Sequence, residues 1–300
     1  LLMIPLEVYN YHFQTKLFQR VFRLLKVDVA YKFMYRVALE LNFVNNVFPS
    51  GGVSGFSYLS LRLHSRDIST AQSTLANMIK LILTFVSFQI LLVLGLFLLA
   101  IDGRASGLLI LVAGSLVTLL IIGTFVFAFI IGSKQRINYF FLNITKIINR
   151  LIKIFSRHPE AINVAKAKAM LNELHDHYME IKRNLRQLNR PLVYALLANL
   201  TEILVIYSVY VAFGQWVNPG AVIIAYAVAN FAGLISVLPG GVGIYEALMT
   251  AVLAAGGVPA SLSLPVTVMY RILNMAIQLP PGYILYHRAL NEEQGSSAKP

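Results

Sequence analysis

Four uninterrupted apolar runs constrain the fold of this chain more than any other feature of its sequence. They cover roughly residues 77–101, 107–132, 192–213 and 263–286. A transmembrane helix needs about 20 mostly apolar residues to cross the hydrocarbon core, and each run reaches that length. Charged residues make up only 13% of the chain, whereas they supply about a quarter of a soluble domain. The sequence therefore predicts an all-α integral membrane protein that folds as a polytopic helical bundle.

Two further apolar regions, residues 29–64 and 220–256, are interrupted by proline and clustered glycine. The interruptions read FPSGGVSG at 48–55 and LPGGVG at 238–243. Proline and glycine break helices, and the flanking halves are short for full spans at a rise of about 1.5 Å per residue. A bilayer tolerates broken backbone only where protein or a water-filled cavity satisfies the freed polar groups. We therefore expect each region to form a re-entrant broken-helix hairpin.

Basic residues predict the orientation of these segments. Residues 133–190 carry twelve lysines and arginines against four acidic residues. Because basic loops stay on the cytoplasmic side, this segment, the basic region before the first hairpin and the tail from His287 are predicted to be cytoplasmic. Alternation of the spans then places Asp102–Arg104 and Asn218–Pro219 outside. The two hairpins would enter from opposite sides, which predicts two inverted-topology repeats.

The predicted organisation has two membrane halves around a cytoplasmic insert. The first half, residues 1–132, opens with a basic juxtamembrane helix and an apolar stretch that we interpret as the end of a preceding span. The insert, residues 133–190, is expected to form a basic amphipathic helix followed by a more polar helix. The second half covers residues 191–288, and residues 289–300 are expected to be a disordered tail. This organisation indicates a multi-pass protein of the cell (inner or cytoplasmic) membrane.

The two breaks are the first candidate binding site. A helix that begins at about Ser54 or Ile244 offers unpaired N–H groups and a partial positive charge, which suit a phosphate. Glycine lets such a ligand approach the backbone closely. An alternative is that the breaks are kinks at which glycine allows tight helix packing. The predicted substrate-binding residues of the breaks are Ser50, Gly51, Gly52, Ser54, Gly240, Gly241 and Gly243.

Ionisable residues at membrane depth are the second candidate. Arg271 costs at least about 2.5 kcal/mol at a helix centre unless it has a partner, and intramembrane charges are usually functional. Glu246 and Glu202 are the candidate partners, either in ion pairs that lock helices together or in a site where Arg271 binds a lipid phosphate. Arg62 is assigned to the same site or to the headgroup region.

Polar residues near these charges complete the predicted site. Tyr245 and Tyr270 are included as hydrogen-bond donors, with simple packing as the alternative. The asparagines that precede the breaks are interpreted as backbone caps rather than ligands; they are Asn42, Asn45, Asn46 and Asn230.

Other chemistry finds little support in the sequence. The absence of cysteine excludes disulfides and thiolate metal sites. His175 and His177 do not share a helix face, so a metal site is not expected there. We find no phosphate-binding Gly-Lys-Ser/Thr loop and no catalytic triad. The net charge of +12 is interpreted as a topology signal rather than as nucleic-acid binding, and no cofactor is predicted.

The second half also carries a family resemblance. The stretch 233–273 combines a Pro-Gly-Gly-x-Gly break, an acidic residue three positions later, a Gly-Val-Pro turn and the pair Tyr270-Arg271. With LTEILVIYSVYVAF (200–213) and NNVFPSGGVSG (45–55), it resembles the transmembrane region of bacterial lysylphosphatidylglycerol synthases (multiple peptide resistance factors) and their stand-alone relatives.

The resemblance implies a lipid translocase. In those synthases the membrane region is held to flip aminoacylated phosphatidylglycerol, which a separate soluble domain makes. Only a short polar tail follows His287, so neither that domain nor an enzyme activity is expected here. The prediction is a flippase-like protein that moves an anionic or aminoacylated phospholipid headgroup through a midplane cavity.

Three alternatives stay open. The substrate could be a polyprenyl-phosphate-linked lipid, or the chain could be a non-transporting membrane partner of a cytoplasmic glycosyltransferase or lipid synthase. An enzyme acting on lipid headgroups would have to rely on Glu246 and Glu202. Homodimerisation is equally open. The expected partners are thus a phospholipid or other phosphate-bearing lipid and the membrane itself.

Overall fold

The computed structural model describes residues 2–48, 53–103, 106–141, 143, 164–235 and 238–297. All regular structure in these residues is helical. The helices, in chain order, are α1 (Met3–Leu24), α2 (Tyr31–Val47), α3 (Val53–His64), α4 (Thr70–Ile101), α5 (Gly107–Ile131), α6 (Val164–Lys182), α7 (Asn189–Ala212), α8 (Pro219–Ile235), α9 (Ile244–Ala255) and α10 (Ala260–Ser297). Residues 134–141 are also helical.

Four of these helices are long and apolar enough to cross a membrane. They comprise Thr70–Ile101, Gly107–Ile131, Leu185–Ala212 and Ala260–Glu292, and they coincide with the four apolar runs of the sequence. The helix α5 exposes many large apolar side chains, such as Phe125 at 72%, as expected where lipid replaces protein as the neighbour. The prediction of a helical membrane protein is therefore confirmed.

The loops fall at two ends of the bundle. At one end, α6 contacts the turns before α2 and α4, because Lys26 pairs with Glu180 at 3.1 Å and Ser69 hydrogen-bonds Glu173. We call this the α6 end, and the last turns of α5 and α10 lie there too. At the other end, Asn218 hydrogen-bonds Asp102 beyond the end of α4. We call this the Asn218 end.

Helix termini follow from local chemistry. Ser69 begins α4 with a capping box, in which it and Gln72 exchange hydrogen bonds of 3.1 Å; such boxes satisfy N–H groups that the helix leaves unpaired. At the C-terminal end of α1, Lys26 adopts φ +61° and the Val27 N–H donates to the Phe22 carbonyl at 3.0 Å. This left-handed ending satisfies carbonyls of the last turn.

In each interrupted region one helix ends before the interruption and another begins after it. The helix α8 starts at the Asn218 end and the helix α9 finishes there, so that Gly256 lies against Ala221. Between them, residues 238–243 leave the helical path. The helix α2 runs inward from the α6 end to Val47, and α3 returns from Val53. Of the first break, residues 49–52 lie outside the described residues.

Close backbone contact fixes the second hairpin in the bundle. A Cβ on Gly220 of α8 would collide with the Gly95 carbonyl of α4, and a Cβ on Gly95 would lie 3.1 Å from the Gly220 carbonyl. Small residues allow this approach, and helix association in lipid relies on packing of this kind.

A polar layer separates two apolar clusters. Along α1, Met3 belongs to the cluster at the Asn218 end and Leu17 to the cluster at the α6 end. The polar residues Glu7, Asn10 and Gln14 lie between them in sequence. The helices α4 and α7 also contribute residues to both clusters. Their polar residues near the boundary between the clusters are Lys80, Thr84, Ser87, Asn199 and Glu202. The described part of the bundle thus has two large apolar cores with a polar layer between them, and a small third cluster of Tyr11, Ala38 and Leu39.

Two segments, α1 and the end of α10, differ from the sequence expectations, and the insert agrees with them where it is described. The helix α1 packs along α7 and reaches both clusters, so it is part of the bundle and not a peripheral helix. Its inward-facing polar residues lower its mean hydropathy, which is why the sequence did not indicate this place. The helix α10 continues to Ser297, whereas disorder was expected from residue 289. In the insert, α6 is the expected second helix and packs Leu174 into the apolar cluster. Most of the predicted basic amphipathic helix, residues 142 and 144–163, lies outside the described residues.

Candidate functional site: a polar cavity at the second helix break

A cavity of about 340 Å³ occupies the polar layer. Helices α1, α2, α4, α7, α8 and α10 line it together with the break before α9. Most of its polar lining consists of carboxamides: Asn10, Gln14, Asn42, Asn45, Asn46, Asn199, Asn230, Asn274 and Gln278. The charged residues of the lining are Lys80, Glu202 and Arg271.

Glycine shapes the break that closes one side of this cavity. Gly240, Gly241 and Gly243 adopt φ values of +59°, +66° and +87°, a region that costs most other residues about 1–2 kcal/mol. A Cβ on Gly240 would lie 3.2 Å from the Asn46 Oδ1. The break therefore touches the last turn of α2, and glycine permits that approach.

Arg271 connects the break to the cavity. Its Nη2 donates to the Gly240 carbonyl at 2.7 Å, and its Nε lies 3.3 Å from the Glu246 Oε1. The guanidinium also lies 4.6 Å from the centre of the Tyr245 ring. Arg271 therefore has three partners: the Gly240 carbonyl, Glu246 and the Tyr245 ring. Its side chain is still 12% exposed and lines the cavity.

Glu246 has two partners at once. One oxygen pairs with Arg271, and the other accepts a hydrogen bond of 2.6 Å from the Gly243 N–H at the start of α9. A carboxylate at this position satisfies a free N–H and the helix dipole. Of the two acidic partners predicted for Arg271, the structure pairs it with Glu246.

Glu202 is held by neutral donors instead. Its Oε1 accepts hydrogen bonds from the Tyr270 hydroxyl at 2.6 Å and the Asn274 amide at 2.7 Å, and its Oε2 accepts one from Asn10 at 3.3 Å. Within the described residues it forms no ion pair. Hydrogen bonds of this kind satisfy a carboxyl group without a cationic partner, so Glu202 belongs to a hydrogen-bonded network in the cavity wall and not to an ion pair.

Amide hydrogen bonds extend this network along the layer. Gln278 donates to Glu7 at 2.7 Å and accepts from Asn42 at 2.6 Å. Asn46 in turn donates to the Asn42 backbone carbonyl at 2.9 Å. The network joins α1, α2, α7 and α10, and each carboxamide in it can both donate and accept.

The structure places the predicted site residues in several different locations. Five of them line the cavity: Glu202, Gly240, Tyr245, Tyr270 and Arg271. Gly241, Gly243 and Glu246 belong to the adjoining break, and Ser54 lies in the first turn of α3. Arg62 lies elsewhere, in a buried ion pair with Glu40 at 3.0 Å. Ser50, Gly51 and Gly52 lie outside the described residues.

Sequence reasoning missed much of the lining. Asn10, Gln14, Lys80, Asn274 and Gln278 were not predicted, and the cap interpretation of the α2 asparagines overlooked their place in the cavity wall. A detectable signal was present on α10, where Tyr270, Asn274 and Gln278 follow each other at a spacing of four. Such spacing puts polar groups on one helix face.

The arrangement suits an anionic or hydroxyl-rich ligand. Arg271 offers a planar fork that matches phosphate, and the carboxamides offer both donors and acceptors. Among the described residues, no cluster of three or more histidine and acidic side chains could hold a metal ion.

Comparison with known proteins agrees with a membrane protein of this kind. A family model described as the lysylphosphatidylglycerol synthase TM region matches residues 14–282. The chain is 24% identical over 249 residues to a UPF0104 membrane protein of Pyrococcus horikoshii, which covers 81% of this chain and 72% of the relative. It is 22% identical over 263 residues to one of Methanothermobacter thermautotrophicus, with 84% and 74% covered.

A shorter match reaches higher identity. It is 35% over 97 residues with a UPF0104 membrane protein of Methanothermobacter thermautotrophicus, and it spans 32% of this chain and 29% of that relative. No solved structure matches the chain significantly. Because the family model matches most of the chain, from within α1 to within α10, and includes nearly all of the cavity lining, the chain belongs to the family of the lysylphosphatidylglycerol synthase transmembrane region.

Proposed function

We propose that this protein is a flippase-like translocase that moves a phosphate-bearing lipid headgroup across the bilayer through the central cavity. The observation that carries the proposal is Arg271, a cation in the polar layer whose anionic partner sits at a helix start. Membership of a lipid-related membrane family supports it. Intramembrane ionisable residues commonly mark substrate paths.

The proposal includes two re-entrant hairpins, α2–α3 and α8–α9, related as inverted repeats. Three observations support it: α8 and α9 both reach the Asn218 end, α2 enters from the α6 end, and Asn46 in the last turn of α2 lies next to Gly240 of the second break. Discontinuous helices that meet near the midplane are typical of transporter binding sites.

Glu246 suggests how a phosphate binds. It now holds the Gly243 N–H and Arg271, and these are the two kinds of partner that a phosphate seeks. In the proposed mechanism the arriving phosphate replaces the Glu246 carboxylate on Arg271, and the carboxylate returns when the headgroup leaves. Glu246 thereby keeps the site neutral when it is empty.

The substrate class is an anionic or aminoacylated phospholipid. Glu202 would meet a cationic group of the headgroup, and the carboxamides would bind its hydroxyl or ester oxygens. A polyprenyl-phosphate-linked lipid would use the same phosphate contact. The proposal involves no chemical conversion, and it orients the α6 end toward the cytoplasm of the cell membrane because of the basic charge there.

Reconstituted vesicles test the proposal. Fluorescent phosphatidylglycerol is placed in both leaflets, and a membrane-impermeant quencher measures how fast the inner lipid becomes accessible. We expect Arg271→Ala to lower the translocation rate by about tenfold or more, since a charge-assisted hydrogen bond contributes about 1.5–3 kcal/mol. Glu246→Gln should also slow translocation, because Arg271 loses its resting partner.

Arg190→Ala is the matched control, since Arg190 is an exposed arginine at the start of α7. It should translocate at the rate of the unchanged protein. Full-rate translocation in both Arg271→Ala and Glu246→Gln would contradict the mechanism, and absence of translocation by the unchanged protein with every lipid tried would contradict the function. Chemical conversion of the lipid would indicate an enzyme instead.

A further inference from the structure

A second cavity, of about 330 Å³, lies nearer the α6 end than the polar cavity does. It is enclosed by α2, α3 and the last turns of α10. Four of its lining residues are arginines, and we call it the arginine pocket. The residues that matter for its chemistry are Arg36, Arg62, Arg66, Arg288, Glu40 and Phe33.

Among the described residues, Arg62 is the one arginine of this pocket that pairs with a carboxylate. Arg62 is fixed by the buried Glu40 at 3.0 Å, and the Tyr58 hydroxyl donates to the same oxygen at 2.9 Å. In the part of the chain that the structure describes, Arg36, Arg66 and Arg288 form no ion pair. The other carboxylate of the lining, Glu292, is exposed. The pocket therefore holds an excess of positive charge.

The arginines converge because each helix turns one face to the pocket. Arg62 lies in the last turn of α3 and Arg66 in the turn that follows this helix, whereas Arg36 and Glu40 are four residues apart on α2. Residues at this spacing lie on the same side of a helix. The Arg66 guanidinium also lies 4.8 Å from the centre of the Phe33 ring. Such cation–π contact restrains a side chain that would otherwise move freely.

The arginine pocket is separate from the polar cavity. Between the two, α2 and α10 approach closely: a Cβ on Gly282 would lie 2.8 Å from both the Leu39 carbonyl and the Phe43 Cβ. Gln278 lines the polar cavity and Leu285 lines the arginine pocket. Seven residues of helix correspond to roughly 10 Å along its axis.

We propose that the arginine pocket is a second phosphate-binding site, which takes a phosphate monoester or diphosphate from a lipid headgroup or from a soluble phosphate compound. Guanidinium groups bind phosphate oxygens in pairs through their planar forks. Arg36 on α2, Arg288 on α10 and Arg66 in the turn after α3 would bind the phosphate, and the Glu40–Arg62 pair would lie beneath it. This site stands independently of translocation, because binding alone defines it.

Binding of phosphate probes to the purified protein in detergent tests the proposal. The lipid probe is dihexanoyl phosphatidic acid and the soluble probe is glycerol phosphate, each titrated by calorimetry. The test variant combines Arg36→Gln, Arg66→Gln and Arg288→Gln. The control combines Arg183→Gln, Arg186→Gln and Arg190→Gln, which removes the same charge from exposed arginines near the same end.

We expect affinity for phosphatidic acid to fall about tenfold or more in the test variant, since each lost charge-assisted contact contributes about that factor. The control should bind as the unchanged protein does. In an Arg271→Ala background, which removes the phosphate contact proposed for the polar cavity, the remaining binding should depend on the three arginines as before, and this separates the two sites. If glycerol phosphate binds with the same arginine dependence, a soluble phosphate suffices; if only phosphatidic acid does, the ligand is a lipid.

Equal losses in the test and control variants would overturn the proposal, because general surface charge would then explain binding. Unchanged affinity in the test variant, or no binding of either probe to the unchanged protein, would overturn it as well. Arg288→Gln alone serves as a milder variant should the triple change unfold the protein. A failure here leaves the translocation assay unaffected, so the two proposals are judged separately.

Discussion

Two arginine–glutamate pairs, one beside each broken hairpin, have the same chemistry in different surroundings. In the pair of Arg62 with Glu40, the side chains are 9% and 1% exposed; in the pair of Arg271 with Glu246, they are 12% and 15% exposed. Glu40 is buried and also accepts a hydrogen bond from the Tyr58 hydroxyl, whereas Glu246 lies in the first turn of the helix that follows the break. We infer that the first pair stabilises the fold and that the second can exchange its partner.

Removal of the enclosed carboxylate should have the largest effect on stability. Glu40→Ala leaves the Arg62 charge buried without its carboxylate, and breaking such a pair costs about 3–5 kcal/mol of unfolding free energy. Circular dichroism of unfolding in detergent measures the loss. Glu246→Ala should lose clearly less, because the polar cavity can solvate Arg271. Equal losses in the two variants would remove the distinction between the pairs.

Substitution in the second break should have an intermediate effect. Gly240→Ala places a Cβ at φ +59°, which costs about 1–2 kcal/mol, and brings it within 3.4 Å of the Arg271 Nη2. We expect lower stability and slower lipid translocation, since Arg271 must move.

Gly123→Ala is the matched control for that change. Gly123 lies inside α5, and a Cβ there would meet nothing within 4 Å. Alanine inside a helix is favoured over glycine by about 0.5–1 kcal/mol, so this variant should be as stable as the unchanged protein or more so. A loss in Gly123→Ala equal to that in Gly240→Ala would mean that the break has no special demand for glycine.

The smallest effect should come from an exposed ion pair. Lys26 and Glu180 join the turn after α1 to α6 at 3.1 Å, and their side chains are 78% and 44% exposed. Lys26→Ala should change the unfolding free energy by less than about 1 kcal/mol, because water screens such pairs. The same unfolding measurement gives a reference for the two enclosed pairs, and a loss comparable to that in Glu40→Ala would contradict the ranking by burial.

The lengths of the apolar runs and the positions of proline and glycine were enough to predict the four long helices and the two interruptions. Each follows from local sequence, since about 20 apolar residues favour a span and proline with glycine ends one. Tyr270, Arg271 and Glu202 were found because charge or polarity is conspicuous in an apolar run. The pairing of Arg271 with Glu246 rather than Glu202 depends on how three helices meet, which spacing along one helix does not reveal.

The placement of α1 escaped prediction for a related reason. Its inward face carries Glu7, Asn10 and Gln14, so a search for apolar stretches underrates it. A polar residue that lines an internal cavity looks, in sequence, like one that faces water. Only the contacts of Asn10 with α7 distinguish the two.

The polar layer also shortens the continuous low-dielectric distance that an ion would have to cross within the bundle. A volume of about 340 Å³ admits on the order of ten water molecules at about 30 Å³ each, in the middle of a region that is otherwise of low dielectric constant. An ion that reaches this level regains part of its hydration halfway. The Born energy of crossing is thus divided into two shorter steps, each through one of the apolar clusters.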